Sequence, residues 1–259
     1  MHAYPTLSHE SAAAAVTNFF SERDETGAVL LVNSCARGKA TLQSDLDMVV
    51  LVGDGGDRAS LHADWEHFRV TDPALLAFST SGPFAVLHVD IEEARIPLPD
   101  HPADEYPDGF ELMIGNWLVW SVVLWERAGF HDRFRADWLP YYDDQLRRQR
   151  LADIRLQCAS NLRLLPTYVH RELYFQAFSR LWESFQLFLQ AIFIQRRIYP
   201  IAYTKWIREQ VVDILGLPDL YQELPSLFEI DHFESDALMR KGTSLQRLID
   251  RYIPVEDDI

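Results

Sequence analysis

The pattern of apolar and polar residues changes part-way along the chain. Early on, residues 28–32 and 45–52 form short, largely apolar runs beside turn-forming residues, which is typical of buried strands. Residues 84–93 alternate between apolar and polar side chains, and this alternation predicts a third strand. The segments 8–24 and 58–70 each place apolar residues on one helical face. The first part of the chain is therefore predicted to combine a β-sheet with helices.

Farther along, the apolar residues recur every three or four positions, which is the period of an amphipathic helix. The clearest case is 171–197, where one buried stripe is predicted to contain Phe175, Phe178, Trp182, Phe185, Leu189 and Ile192. Helices are predicted over residues 110–129, 138–165, 171–197, 203–215, 219–228 and 236–252. The second part of the chain is therefore predicted to be all-helical.

A proline-rich segment separates the two patterns. Residues 96–109 contain Pro97, Pro99, Pro102 and Pro107, which is typical of a linker or of the rim of a site. We therefore predict an α+β fold in which residues 1–108 form a domain with a mixed β-sheet flanked by helices. Residues 109–259 are predicted to form a helical-bundle domain.

Composition indicates a globular protein whose first part is acidic. The chain has 259 residues, of which 48% are hydrophobic and 12% aromatic, and its formal net charge is −15. The first 110 residues contain 6 Lys and Arg against 18 Asp and Glu, a net charge of −12. An acidic surface of this kind opposes extended nucleic-acid binding and favours metal ions and cationic substrates.

The cysteines and the apolar segments predict a cytoplasmic location. Cys35 and Cys158 lie far apart in unrelated contexts, so no disulfide framework is expected. No basic segment precedes an apolar run near residue 1, and no apolar segment has the length of a bilayer span. We therefore expect a reducing environment and no membrane contact.

The segment between the first two predicted strands holds the strongest candidate chemistry. Asn33 and Gly38 adopt positive φ at low cost, and Ser34 offers a hydroxyl and an N–H, so this turn could wrap a phosphate. Asp45 and Asp47 are two residues apart and share one face of the second strand. Two such carboxylates repel each other unless a cation neutralises them, and Mg²⁺ prefers oxygen ligands. The segment therefore predicts a Mg²⁺ site beside a phosphate site.

Two other candidates, a cysteine and a pair of histidines, are less specific. Cys35 is interpreted as a small residue in a tight turn rather than a nucleophile, because no histidine neighbours it in sequence. His62 and His67 lie five residues apart and therefore on different faces of their predicted helix, which opposes a metal-binding pair.

The motif residues resemble the polymerase-β-type nucleotidyltransferase superfamily. The resemblance lies in a strand, a small-residue turn and Asp-x-Asp on the next strand, here Ala36-Arg37-Gly38 followed by Ser44-Asp45-Leu46-Asp47. It points to small bacterial members with a helical second domain, including aminoglycoside and lincosamide adenylyltransferases. Asn33 stands where that family has a glycine, and asparagine tolerates the left-handed region better than most residues.

The resemblance implies roles for particular acidic residues. The family carries a third carboxylate on a strand adjacent to the Asp-x-Asp strand, and Asp90 is placed to supply it. Asp45, Asp47 and Asp90 would then be the catalytic residues and the ligands of two Mg²⁺ ions. Glu92 shares a strand face with Asp90 and is a possible general base. Its competitors are Glu93, Asp104 and acidic residues of the second part.

The nucleotide is expected to bind mainly at the turn. The predicted nucleotide-binding residues are Asn33, Ser34, Arg37, Lys39 and Lys205. Lys205 is included because of the resemblance, since relatives have a Tyr-Pro stretch followed by Lys-Trp at the corresponding position. The alternative is that Lys205 is an ordinary exposed lysine. Arg37 and Lys39 would neutralise the departing phosphates. They are equally interpretable as solvated turn residues.

The expected function is transfer of a nucleoside monophosphate, AMP from ATP, to a hydroxyl of a small cationic acceptor such as an aminoglycoside. One alternative is a nucleotidyltransferase of the toxin–antitoxin type that modifies protein or RNA. The arginines between 147 and 155 could form a local RNA-binding patch, although a solvated helix face is the favoured interpretation. Another alternative is a nucleotide-binding regulatory module that retains the fold without turnover, and Asn33 is the residue that favours it.

Overall fold

The computed structural model describes residues 4–53, 56–99 and 107–254. The chain forms two compact units: the first contains Met1–Pro97 and Met113–Leu139, and the second contains Leu98–Leu112 and Pro140–Ile259. Residues 113–139, which the hydrophobic pattern assigned to the helical part, thus belong to the first unit. The division into a catalytic domain, 1–108, and a helical domain, 109–259, stays a prediction. Of the proline-rich segment, residues 100–106, including Asp104, lie outside the described residues.

The first unit is built on a mixed, four-stranded sheet, as far as the described residues show. Its elements are α1 (Leu7–Ser21), β1 (Thr26–Leu31), α2 (Asn33–Ala36), β2 (Leu46–Val52), α3 (Arg58–Arg69), α4 (Pro73–Ser79), β3 (Leu87–Glu93), the end of α5 (Phe110–Ile114), a π-helical segment (Gly115–Val119), β4 (Val122–Glu126) and α6 (Phe130–Ala136). Residues 110–112 of α5 belong to the second unit. The strand order is β3-β2-β1-β4. β1 is antiparallel to β2 and to β4, whereas β2 and β3 are parallel. The predicted α+β class and mixed sheet are confirmed.

Both faces of this sheet carry apolar residues. On one face, Met48 and Val50 of β2 and Ile91 of β3 pack against α1, α3 and α4. On the other face, Val49 and Leu51 belong to a smaller cluster that includes aromatic residues of the π-helical segment and of α6. Because side chains alternate along a strand, residues 45 and 47 face the same side as this smaller cluster. The period of two therefore sets the face on which the candidate carboxylates lie.

The predicted helix over 110–129 is wrong. The chain is helical only from Phe110 to Val119, through α5 and the π-helical segment, and then forms β4 against β1. Residues 122–125 are Val-Val-Leu-Trp, a β-branched and aromatic run that suits a strand once an edge is available to pair with. A short apolar run cannot be assigned to helix or strand by periodicity alone, and the free edge of β1 decided the outcome.

The second unit contains helices and no strand among its described residues. Its elements are α7 (Asp144–His170), α8 (Tyr174–Arg196), a π-helical segment (Glu209–Ile214), α9 (Pro218–Glu223), a 3₁₀ turn (Pro225–Phe228) and α10 (Ala237–Tyr252). α7, α8 and α10 enclose one large apolar core. In the predicted stripe on α8, Phe185, Leu189 and Ile192 are buried and Phe178 and Trp182 are partly buried. Phe175, in contrast, is 79% exposed and contacts Phe233. The helix predicted to begin at residue 203 begins at residue 207 instead, because Trp206 has a φ of 59° and so cannot be part of a right-handed helix.

A buried polar cluster lies within the second unit and corrects the interpretation of the α7 arginines. Arg150 is 3% exposed and forms ion pairs with Glu111, which is fully buried, and with Asp108. Gln190 donates to the same two carboxylates. Arg147 is also buried, at 5% exposure. Neither arginine faces solvent, so these two belong neither to an RNA-binding patch nor to a solvated helix face.

No helix within the described ranges combines the length and the apolar character needed to cross a bilayer.

Candidate metal and phosphate site

The turn after β1 has the backbone geometry that its sequence predicts. Asn33 has a φ of 56° and Gly38 a φ of 67°, so both occupy the left-handed region. Glycine enters this region without strain and asparagine more readily than most other residues. The short helix α2 begins at Asn33 and ends at Ala36, two residues before Gly38. The residue that departs from the nucleotidyltransferase pattern, Asn33, thus adopts the conformation for which a glycine would be favoured.

Hydrogen bonds connect this turn to the start of β2. The N–H of Val32 donates to the carbonyl of Asp47 at 3.1 Å, and the N–H of Lys39 donates to the carbonyl of Ser34 at 2.9 Å. The thiol of Cys35 lies 3.7 Å from the carbonyl oxygen of Asp45. These contacts hold the turn beside the strand that carries the two aspartates.

Asp45, Asp47 and His88 converge at this end of the sheet. Each offers one ligand atom, and these atoms all lie within 4.8 Å of one another. The side chains of Asp45 and His88 are 48% and 55% exposed, so an ion from solvent can reach them. Asp47 is half-buried. Two carboxylates and an imidazole are donors that a divalent cation accepts, so the residues present fit a metal ion.

The register of the sheet accounts for this convergence. In the parallel pairing of β2 with β3, Asp47 lies opposite His88 and Val49 lies opposite Asp90. Leu87, Val89 and Ile91 turn towards the apolar cluster under α1 and α3. His88, Asp90 and Glu92 consequently share the face on which Asp47 lies.

The pKa of the Asp47 carboxyl is raised above its ordinary value. Burial is the largest cause, because a charged group loses hydration in the protein interior. The polar side chain of Asn33 stabilises the charged form of this carboxylate and opposes the rise, as does nearby His88. The negative charges of Asp45 and Asp90 add to it. A cation placed among these groups would relieve both the burial cost and the repulsion.

Asp90 and Glu92 lie farther along β3 than the convergent group. Asp90 is exposed and close enough for its charge to act on Asp47, but it is not one of the three residues whose ligand atoms converge. Glu92 pairs with Arg58 of α3 at 3.1 Å. The assignments of Asp90 as a metal ligand and of Glu92 as a general base stay predictions.

The predicted nucleotide-binding residues lie in different units. Asn33, Ser34, Arg37 and Lys39 belong to the first unit, in the turn between β1 and β2; Ser34 and Arg37 are half-buried and Lys39 is exposed. Lys205 belongs to the second unit, where its side chain is exposed and its carbonyl accepts a hydrogen bond from Gln210. Contact of any of them with phosphate stays a prediction.

Cys35 has the properties of a packed residue. Its side chain is 2% exposed, and burial raises the pKa of its thiol to about 11, with the charges of Asp47 and Asp45 adding to the rise. At neutral pH the group is therefore a thiol rather than a thiolate nucleophile.

His88 is the residue that the sequence analysis missed. Its position on the polar face of β3 was evident, but only the parallel register places it opposite Asp47 rather than opposite Val49. The effect of Asn33 on Asp47 was missed for a similar reason, because it depends on the side-chain direction within the turn.

Comparison with known proteins does not identify a relative. No known protein family matches this sequence, and no curated protein is similar enough to indicate a relationship. The resemblance to nucleotidyltransferases therefore depends on the motif residues themselves.

Proposed function

We propose that this protein is a metal-dependent nucleotidyltransferase that transfers a nucleoside monophosphate to a hydroxyl group of an acceptor. The observation that supports this most strongly is the convergence of Asp45, Asp47 and His88 next to a turn that holds Asn33 and Gly38 at positive φ. A nucleoside triphosphate binds as a complex with metal ions, and an accessible group of metal ligands beside a small-residue turn is suited to such a complex.

Each residue of the site has a role in this proposal. Asp45 and Asp47 hold Mg²⁺, and Asp90 joins them in holding a second ion. When bound, Mg²⁺ would neutralise charge on the phosphates and favour in-line attack on the α-phosphate. The Ser34 turn, with Arg37 or Lys39, binds the β- and γ-phosphates that leave as pyrophosphate.

Charge supports a small cationic acceptor. The acidic residues of the first 110 positions outnumber the basic ones by 12, so a polycation such as an aminoglycoside is attracted and a long polyanion is repelled. ATP is the proposed nucleotide. A protein or RNA acceptor, and a nucleotide-binding module without turnover, are the competing hypotheses.

Radiolabel transfer separates these hypotheses. The purified chain is incubated with Mg²⁺ and each α-labelled NTP, first alone and then with an aminoglycoside, a protein or a tRNA acceptor. Transfer of label to the aminoglycoside with pyrophosphate release is the expected outcome. ATP binding without turnover of any NTP would refute the enzyme hypothesis and support the binding module.

A further inference from the structure

We propose that His88 is a direct ligand of the cation held by Asp45 and Asp47, and that its imidazole makes this site prefer a first-row transition metal over Mg²⁺. This inference rests on the proposed function in one respect, because both place a divalent cation at Asp45 and Asp47. It goes further by naming a third ligand, a nitrogen, and the class of ion that this ligand selects.

Geometry places His88 within reach of such an ion. Its Cα is the register partner of Asp47, and its Nε2 lies 3.9 Å from Oδ2 of Asp45. Ligands that share one cation at ~2.1 Å lie roughly 3 Å to 3.5 Å apart. The group, with its ligand atoms within 4.8 Å of one another, therefore needs only small side-chain rotations to surround an ion.

The backbone positions of these side chains and the partial burial of Asp47 favour a preorganised metal site over a chance contact at the surface. Val89, next to His88, packs into the apolar cluster of the first unit, and residues 87–93 pair with β2 along their whole length. Asp47 is half-buried, and its charged form is stabilised by the polar side chain of Asn33. Two of the three ligands thus project from paired strands, and the third, Asp45, directly precedes β2.

The chemistry of imidazole determines the class of ion. Mg²⁺ takes oxygen ligands and gives up its water molecules reluctantly, whereas imidazole nitrogen suits Co²⁺, Ni²⁺, Cu²⁺ and Zn²⁺. A site with two carboxylates and one imidazole should therefore bind Co²⁺ more tightly than Mg²⁺. A simple ion pair between protonated His88 and Asp45 would give no such preference.

Calorimetric titration of the full chain, without a polyhistidine tag and without nucleotide, tests the inference. Co²⁺ and Mg²⁺ are titrated separately into the wild type, His88→Ala and His67→Ala. His67 is an exposed histidine on α3 and serves as the matched control. His88→Ala is expected to weaken Co²⁺ binding by about tenfold or more while changing Mg²⁺ binding by less than about threefold. His67→Ala should match the wild type.

Several outcomes would overturn the inference. They are an unchanged Co²⁺ affinity in His88→Ala, equal losses for Co²⁺ and Mg²⁺, or no Co²⁺ binding by the wild type. Circular dichroism of His88→Ala checks that the sheet is intact, and the visible absorption of bound Co²⁺ reports directly whether a nitrogen ligand has been lost.

The same measurements distinguish this inference from the proposed function. If Co²⁺ binding depends on His88 but no NTP is turned over with either ion, the transferase proposal fails and the inference stands. If label transfer occurs but the Co²⁺ affinity does not depend on His88, the inference fails and the transferase proposal stands.

Discussion

The polar side chain of Asn33 stabilises the charged carboxylate of Asp47, while the backbone of Asn33 itself has a φ of 56°. Asn33 therefore has two roles. It allows the turn after β1 to enter the left-handed region, and it stabilises the charge of a half-buried carboxylate. A glycine at this position would have only the first role.

The backbone role of Asn33 can be measured by comparing two substitutions. Asn33→Gly and Asn33→Ala both remove the polar side chain that acts on Asp47, but only alanine has a Cβ that is strained at positive φ. We expect Asn33→Ala to be less stable than Asn33→Gly by about 1 kcal/mol, determined from urea unfolding curves. Equal stabilities would show that the turn relaxes to another conformation.

Asn18 provides the control for this comparison. It is an exposed residue inside α1, where glycine is the less favourable substitution. Asn18→Gly should be less stable than Asn18→Ala by about 1 kcal/mol, so the order of the two variants is reversed.

Asp47→Asn is expected to abolish nucleotidyl transfer without disturbing the fold. The amide has nearly the shape of the carboxylate but lacks the charge that a divalent cation requires. We expect the rate of label transfer to fall by about 10³-fold or more, the scale of losing one group that stabilises charge in a transition state. Asp90→Asn should also reduce transfer if Asp90 holds the second ion.

Asp64→Asn is the matched control for these substitutions. Asp64 is an exposed carboxylate of α3 outside the convergent group, and its variant should transfer label at the wild-type rate. Substantial transfer by Asp47→Asn would remove Asp47 from the site.

The ion pair of Arg150 with Glu111 makes the second unit sensitive to the loss of a single charge. Arg150 Nη2 lies 2.6 Å from Glu111 Oε2 and also 2.6 Å from Asp108 Oδ1. Arg150→Met would leave two carboxylates without their cation, and we expect it to lower the free energy of unfolding by about 3–5 kcal/mol. Adding Glu111→Gln to that variant should recover part of the loss, because one buried charge is then removed.

Denaturant unfolding of the single and double variants tests this coupling. Arg148→Met is the control, since Arg148 is exposed two positions earlier on α7, and its effect should stay within about 0.5 kcal/mol. A double variant that is less stable than Arg150→Met alone would contradict the expectation.

Buried His131 should make the stability of the first unit depend on pH. The side chain is 2% exposed; its Nε2 donates to the carbonyl of Trp117 at 3.0 Å, and its Nδ1 has no hydrogen-bond partner among the described residues. Burial is the main reason that the pKa of His131 is lowered from its ordinary 6.5. The unfolded chain therefore binds this proton at a higher pH than the folded chain, and stability falls as pH drops below 6.5.

Urea midpoints at about pH 7.5 and about pH 5.5 measure this dependence. His131→Gln should show a smaller decrease between the two pH values than the wild type does. His67→Ala, which changes an exposed histidine, should retain the full decrease. An identical decrease in His131→Gln would assign the pH dependence to other groups.

Much of the local structure was predictable because it depends on neighbours in sequence. The runs at 28–32 and 45–52 contain most of β1 and β2, and the predicted stripe on α8 is buried or partly buried at every position except Phe175. The positive φ of Asn33 and Gly38 follows from the small set of residues that accept it. The shared face of Asp45 and Asp47 follows from the strand period alone.

The other structural features depend on contacts between residues that are distant in sequence. β4 is a strand because β1 offers it an edge, and Arg150 is buried because Glu111 and Asp108 neutralise it. The hydrophobic pattern contains neither fact, because it records the period of each segment and not which segments meet.

The candidate site also combines features that the sequence predicts with features that depend on the tertiary structure. The sequence by itself determined that two carboxylates project together beside a turn able to adopt positive φ, because both properties arise within fifteen consecutive residues, 33–47. Only the tertiary structure decided that His88 joins them and that Asn33 contacts Asp47. The register of two parallel strands is set by the packing of both strands against their helices, and a shift of one residue would have turned His88 to the opposite face.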